Sequence, residues 1–112
     1  MAVFRILEAK ARPGAVEQIA DLLVAQASGV VEGSEGALFV QALRSGDQLL
    51  AVSSWRSVED MQRYLDLEVT REFYRRLPAL LMGMPTVRTY EVLGDGEAAG
   101  WTVGAPAGGS GR

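Results

Sequence analysis

The sequence predicts one α+β domain, a four-stranded antiparallel sheet with helices on one face in the order β-α-β-β-α-β. Three observations point to it. A β-branched and aromatic opening segment runs into the most regular helical stripe of the chain. Two short apolar runs then flank a Gly-centred turn, and a second helical region leads into a closing β-rich segment. At 112 residues there is room for one core and no second domain. A chain this small buries only about 60–70% of its unfolded surface, so a partner subunit helps it stand.

The first strand covers Val3 to Ala11 and stops at Arg12-Pro13-Gly14. A helix is expected from Pro13, tolerated where the amide would be unpaired anyway, to about Val31. Val16, Ile19, Ala20, Leu23, Ala27, Val30 and Val31 form its apolar stripe, with Glu17, Gln18 and Asp21 off it. Glu32 to Gly36 is a loop by composition. Ala37 to Arg44 and Gln48 to Arg56 read as a hairpin around Ser45-Gly46-Asp47. Neither strand alternates cleanly, which implies that both sheet faces are covered. Ser57 to Asp60 resembles a capping box opening a helix with Val58, Met61 and Leu65 on one side. The phase slips near Asp66-Leu67-Glu68, so two helices or one kinked helix are expected up to about Gly83. The last strand spans Thr86 to Leu93.

Residues 1–93 are therefore read as a ferredoxin-like domain, and 94–112 as a Gly/Ala-rich tail, flexible or docking on the partner. Within the tail, Gly94 to Ala99 matches G-x-G-x-x-A, but too little chain follows for a dinucleotide-binding unit, and the match is a decoy. Trp101 stands out there, since a disordered tail has little use for Trp. The helices cover one sheet face, and the apolar second face calls for a partner or ligand.

Composition excludes several classes. The net charge is −3, and the Arg71, Arg75, Arg76 cluster is interleaved with Glu68 and Glu72, which gives no nucleic-acid footprint. No apolar run is long enough to span a bilayer. The start of the chain lacks the pattern of a signal peptide, so a cytoplasmic protein is expected. There is no Cys, no His and no Asn. A thiolate nucleophile and His-based triads are thereby removed, and a protein-held zinc, haem or iron–sulfur site is disfavoured. No cofactor and no metal are expected. Chemistry must rest on carboxylates, Tyr, Arg, Trp, hydroxyls, backbone amides or the substrate itself.

Four segments together resemble the antibiotic biosynthesis monooxygenase family of dimeric α+β barrels. They are Lys10 to Gly14 before the long helix, Glu35-Gly36 opening the hairpin, Ser54-Trp55-Arg56-Ser57-Val58-Glu59-Asp60 at its end, and Tyr90-Glu91-Val92 in the closing strand. The segment Leu77 to Gly83 is similar to the Leu-Pro-x-Leu-Met-Gly stretch of the aromatic-polyketide oxygenases. The resemblance implies a homodimer through the open sheet face. It also implies a pocket between sheet and helices and a cofactor-independent, quinone-forming reaction of O2 with a hydrophobic aromatic or polyketide-like molecule. Relatives that degrade haem need a ligating His, absent here. The oxygenases' pocket Asn and Tyr fall on Ala51 and Met61, so only Trp55 and an Arg, Arg71 or Arg75, match. A polyketide cyclase or isomerase, or a non-catalytic ligand-binding dimer, are the alternatives.

Each candidate has a bland reading beside the functional one. Trp55 is core, or it walls the pocket and points its N–H at a substrate oxygen. Arg71 and Arg75 belong to a solvated face, or one of them, Arg71 first, holds a phenolate. Tyr64 and Tyr74 fill space or donate a proton to a peroxide intermediate. Phe39, Phe73, Met61, Met82 and Met84 are core or pocket wall, a soft lining suited to a flat ligand.

Overall fold

A computed structural model describes residues 1–94; the expectations for the tail, for the motif continuing from Gly94 to Ala99 and for Trp101 lie outside them. Strand β1 spans Val3–Lys10, helix α1 Val16–Gln26, strand β2 Ala37–Ser45 and strand β3 Gln48–Trp55. Helices α2 (Val58–Leu65) and α3 (Glu68–Arg76) follow, then a 3-10 turn (Leu77–Leu80) and strand β4 (Thr86–Glu91). The sheet order is β2-β3-β1-β4, antiparallel throughout. This is the predicted ferredoxin-like α+β arrangement, with the second helical region divided in two.

Both ends of the first helix differ from expectation. Pro13 and Gly14 form a turn closed by the Ala15 amide on the Arg12 carbonyl, 3.0 Å. Gly14, at φ 84°, takes the left-handed conformation that follows Pro in a type II turn, so the helix starts later, at Val16. After Gln26 the helix widens into a π-turn, Ala27–Val31, in which the Glu32 amide reaches back five residues to Ala27. At α2, Ser57 is the cap: its hydroxyl accepts the Asp60 amide at 3.1 Å. A bulge between Ala37 and Phe39 leaves Leu38 exposed.

Register and alternation separate the two sheet faces. Val3, Arg5, Leu7 and Ala9 of β1 stand beside Trp55, Ser53, Ala51 and Leu49 of β3, towards the helices. Two buried groups form there. Leu7, Ile19, Leu23, Leu49, Phe73 and Leu77 pack at one end of the sheet; Val3, Val31, Trp55, Met61 and Tyr64 pack at the other. Phe4 and Phe39 stack at 6.5 Å on the opposite face, where Phe39, Leu43 and Tyr90 are each more than 40% exposed. No helix among the described residues is long and apolar enough to cross a membrane.

Candidate functional site

The two buried groups do not merge, and the gap between them is a cavity. Leu7, Leu23 and Phe73 wall it from one group, Val31 and Tyr64 from the other. Ala27, Val40, Ala51 and Tyr74 complete most of an apolar and aromatic wall. Into this wall project Arg5, Gln26 and Ser53. In this closed form about 30 Å³ is open to the centres of water molecules, enough for a pair of waters. An open groove of about 450 Å³ runs past Gly29, Gly33, Leu67 and Val69, and Tyr64 lines both spaces.

Each polar group in the cavity has a defined partner. Arg5 donates to the Tyr74 hydroxyl at 3.0 Å, with its guanidinium 5.8 Å from that ring's centre. Gln26 donates to the Tyr64 hydroxyl at 2.9 Å and to Thr70 Oγ1 at 3.2 Å. All three of these side chains are at least nine-tenths buried. Burial pushes the Tyr64 phenol above its ordinary range, an effect that the Gln26 hydrogen bond partly offsets. Tyr64 is therefore a neutral hydroxyl at physiological pH. No Asp, Glu or Lys lines the cavity, and among the described residues Arg5 has no carboxylate within salt-bridge distance.

Of the residues singled out in the sequence, Tyr64, Ala51, Phe73 and Tyr74 meet at the cavity. The others lie elsewhere. Trp55 is fully buried behind the wall, stacked on Tyr64 at 5.0 Å, and its N–H is given to Ser53 Oγ at 2.9 Å rather than to a ligand. Met61 packs in the group around Trp55. Arg71 sits on the surface, 3.7 Å from Asp66. Arg75 is held on the surface by Glu68 and Glu72 at 2.8 and 2.7 Å, which raise its pKa, so neither arginine enters the cavity. Phe39 lies on the far sheet face, and Met82 and Met84 are exposed after the 3-10 turn.

Arg5, Gln26 and Ser53 were not singled out, although two of them leave a trace in the sequence. Arg5 breaks an inward-facing series of Val3, Leu7 and Ala9. Gln26 falls seven residues after Ile19 and three after Leu23, on the apolar stripe of α1. A polar residue on a buried stripe is the signal both share.

A four-stranded antiparallel sheet in this order, covered by helices on one face, is a ferredoxin-like α+β fold, and sequence comparison narrows it. The antibiotic biosynthesis monooxygenase family profile matches residues 2–76, and the chain belongs to that family. No curated protein matches it in sequence. Among solved structures it is similar to Rv0793 from Mycobacterium tuberculosis, with TM-score 0.80, 18% identity, 87% of this chain and 100% of that one covered. It is also similar to protein NE2512 of unknown function from Nitrosomonas europaea (TM-score 0.75, 19% identity, 88% and 96% covered). A Deinococcus radiodurans protein provisionally assigned as an antibiotic biosynthesis monooxygenase matches at TM-score 0.75 and 20% identity, with 86% and 94% covered. At these identities the structures establish the fold alone.

Proposed function

We propose that this chain is a cofactor-independent, quinone-forming monooxygenase that acts on a small aromatic or polyketide-like molecule held in the cavity. The observation that carries the reading is Arg5, a cation without a carboxylate partner among the described residues, facing a space walled by Phe73, Tyr74 and Tyr64. A guanidinium in such surroundings pairs with a planar oxyanion. In the reaction, a ring CH2 group and O2 become a ring C=O and water. The substrate anion supplies the electrons, Arg5 holds its oxygen, and the neutral Tyr64 hydroxyl donates to the peroxide that forms on carbon.

The closed cavity is too small for a ring, so the wall must open to admit one. Tyr64 separates cavity from groove, and its displacement joins the two spaces. The working unit is a homodimer through the open sheet face, a reading supported by the exposed apolar row of Phe39, Leu43 and Tyr90.

Purified protein is incubated in air with an anthrone and with a hydroquinone while O2 uptake is followed. Uptake is expected with the anthrone, falling roughly tenfold or more in Arg5→Gln, as for loss of a charged hydrogen bond; the hydroquinone, which has no ring CH2, controls for simple two-electron oxidation that releases peroxide. Product formation without O2 would replace the oxygenase with a cyclase or isomerase. Binding without turnover would leave a ligand-binding protein.

A further inference from the structure

Three hydroxyls line the cavity, those of Ser53, Tyr64 and Tyr74, and each accepts a hydrogen bond from a fixed N–H. Trp55 Nε1 donates to Ser53, Gln26 Nε2 to Tyr64 and an Arg5 nitrogen to Tyr74, at 2.9, 2.9 and 3.0 Å. A hydroxyl has one proton to give, and an N–H seated on its oxygen directs that proton elsewhere. Among the described residues no hydrogen bond uses the Ser53 or Tyr74 proton, and Thr70 stands beside Gln26 as the other hydrogen-bonding neighbour of the Tyr64 hydroxyl. Among the described residues no carboxylate lies in the wall, so its polar side is one guanidinium, three hydroxyls able to donate, and acceptors limited to hydroxyl lone pairs and the Gln26 carbonyl oxygen.

We infer that the cavity is an oxyanion cradle, and that Gln26 and Trp55 are positioning residues that turn the Tyr64 and Ser53 protons towards the ligand. This deepens the reading above, since it names the form in which the ligand binds. Among the described residues the cavity wall holds no carboxylate or imidazole base, and the carboxylates of the adjoining groove, Glu35 and Asp60, are engaged by Arg56 and Arg63. The ligand therefore enters already ionised, as a phenolate, an enolate or a small carboxylate, and its neutral isostere binds poorly. Donors that face the cavity favour that anion, because a charge-assisted hydrogen bond is stronger than a neutral one.

The polarity is fixed by the Gln26 amide. Gln26→Glu keeps shape and length but, ionised, presents only acceptors, so the Tyr64 proton turns to residue 26 instead of to the ligand. Trp55→Phe keeps an aromatic ring behind the wall and frees Ser53 to rotate.

Two probes test the inference in the full-length protein. Para-nitrophenol reports its own ionisation by absorbance, and formate, compared with formamide, reports on the closed cavity by calorimetry. In the native chain the bound nitrophenol is expected to titrate at lower pH than the free probe, and formate to bind while formamide does not. Tyr64→Phe weakens anion binding roughly tenfold, and Gln26→Glu abolishes the shift; Trp55→Phe has a smaller effect in the same direction. Arg75→Gln, on the outer surface, leaves every reading unchanged.

The inference is overturned if neither probe binds, if nitrophenol binds as the neutral phenol, or if formamide equals formate. It also fails if Gln26→Glu binds the anion like the native chain, the outcome expected were the amide turned the other way round. Should Gln26→Glu not fold, as judged by circular dichroism, Tyr64→Phe decides alone. O2 uptake without the anion preference would remove the cradle and keep the oxygenase. The anion preference without O2 uptake would do the reverse.

Discussion

Asp60 and Tyr64 lie one helical turn apart on α2 and occupy opposite kinds of polar surroundings. The Asp60 carboxylate accepts from Arg56 at 2.9 Å, from Ser57 at 3.0 Å and from Arg63 at 2.7 Å, while its backbone amide goes to Ser57. Glu35 stands 3.5 Å from both arginines and draws the loop before β2 into the cluster. Gly36 lets that loop come so close: its φ is 84°, and a Cβ there would meet the Asp60 carboxylate side chain. Each charge finds an opposite charge within the cluster. Around Tyr64, by contrast, the cation Arg5 has no anion within salt-bridge distance among the described residues, and the neighbouring polar groups are neutral. A cluster of paired charges holds two segments together; a lone cation among neutral groups and apolar walls is what the proposed anion site would use.

The largest effect is expected where the two regions share a support. Trp55 is fully buried, backs the cavity and belongs to the same buried group as Met61 of α2. Trp55→Ala should lower stability by about 3–5 kcal/mol in urea unfolding, and a loss below about 1 kcal/mol would mean the group repacks around the gap. Next comes Gly36→Ala, with about 1–3 kcal/mol from the backbone conformation, plus the displacement of Asp60. Because the cluster is structural, anion binding measured under folding conditions should not change; a selective loss of binding would erase the distinction drawn between the regions.

The two groups also predict opposite pH limbs. The Arg56 hydrogen bond, with Ser57 and Arg63, holds the Asp60 pKa below its ordinary 3.8, against the opposing effect of burial. A carboxylate lowered on folding stabilises above pH 3.8, and that contribution is lost as acid carries the pH down through the folded value. Asp60→Asn should therefore flatten the acid limb of a melting-temperature profile. Tyr64, raised above 10.0 chiefly by burial, stabilises fully below that pH and progressively less as the pH climbs through its folded value. Tyr64→Phe should flatten the alkaline limb and leave the acid limb alone. The smallest effects belong to Arg71→Gln and Arg75→Gln, whose exposed ion pairs should each contribute no more than about 1 kcal/mol. Retained anion binding in both would place the anion-holding role away from this helix.

Most of the fold was legible along the chain. The stripe from Ile19 to Leu23, the Gly-centred hairpin at Gly46 and the Ser57 cap are local features, and local spacing reveals them. The slip near Asp66 also marked a real break between α2 and α3. The π-turn after Gln26 was not legible, since its residues continue the apolar stripe and differ only in which carbonyl each amide reaches. Tyr64, Tyr74, Phe73 and Ala51 were named and do line the cavity, whereas Arg71 and Arg75 do not and Arg5, which does, was not named. Arg71 and Arg75 share a helix face with acids that claim them, as their spacing from Glu68 and Glu72 allows.

The amino-acid sequence alone determined the β-α-β-β-α-β frame, the absence of His and Cys chemistry, and the existence of two apolar sheet faces. Those follow from periodicity, turn residues and composition, which act over a few residues. Only the tertiary structure decided which polar atoms meet. Arg5, Gln26, Ser53, Tyr64 and Tyr74 come from five separate segments of chain. Whether a donor among them is satisfied or left over depends on distances of about 3 Å between parts far apart in sequence, and no local rule carries that information.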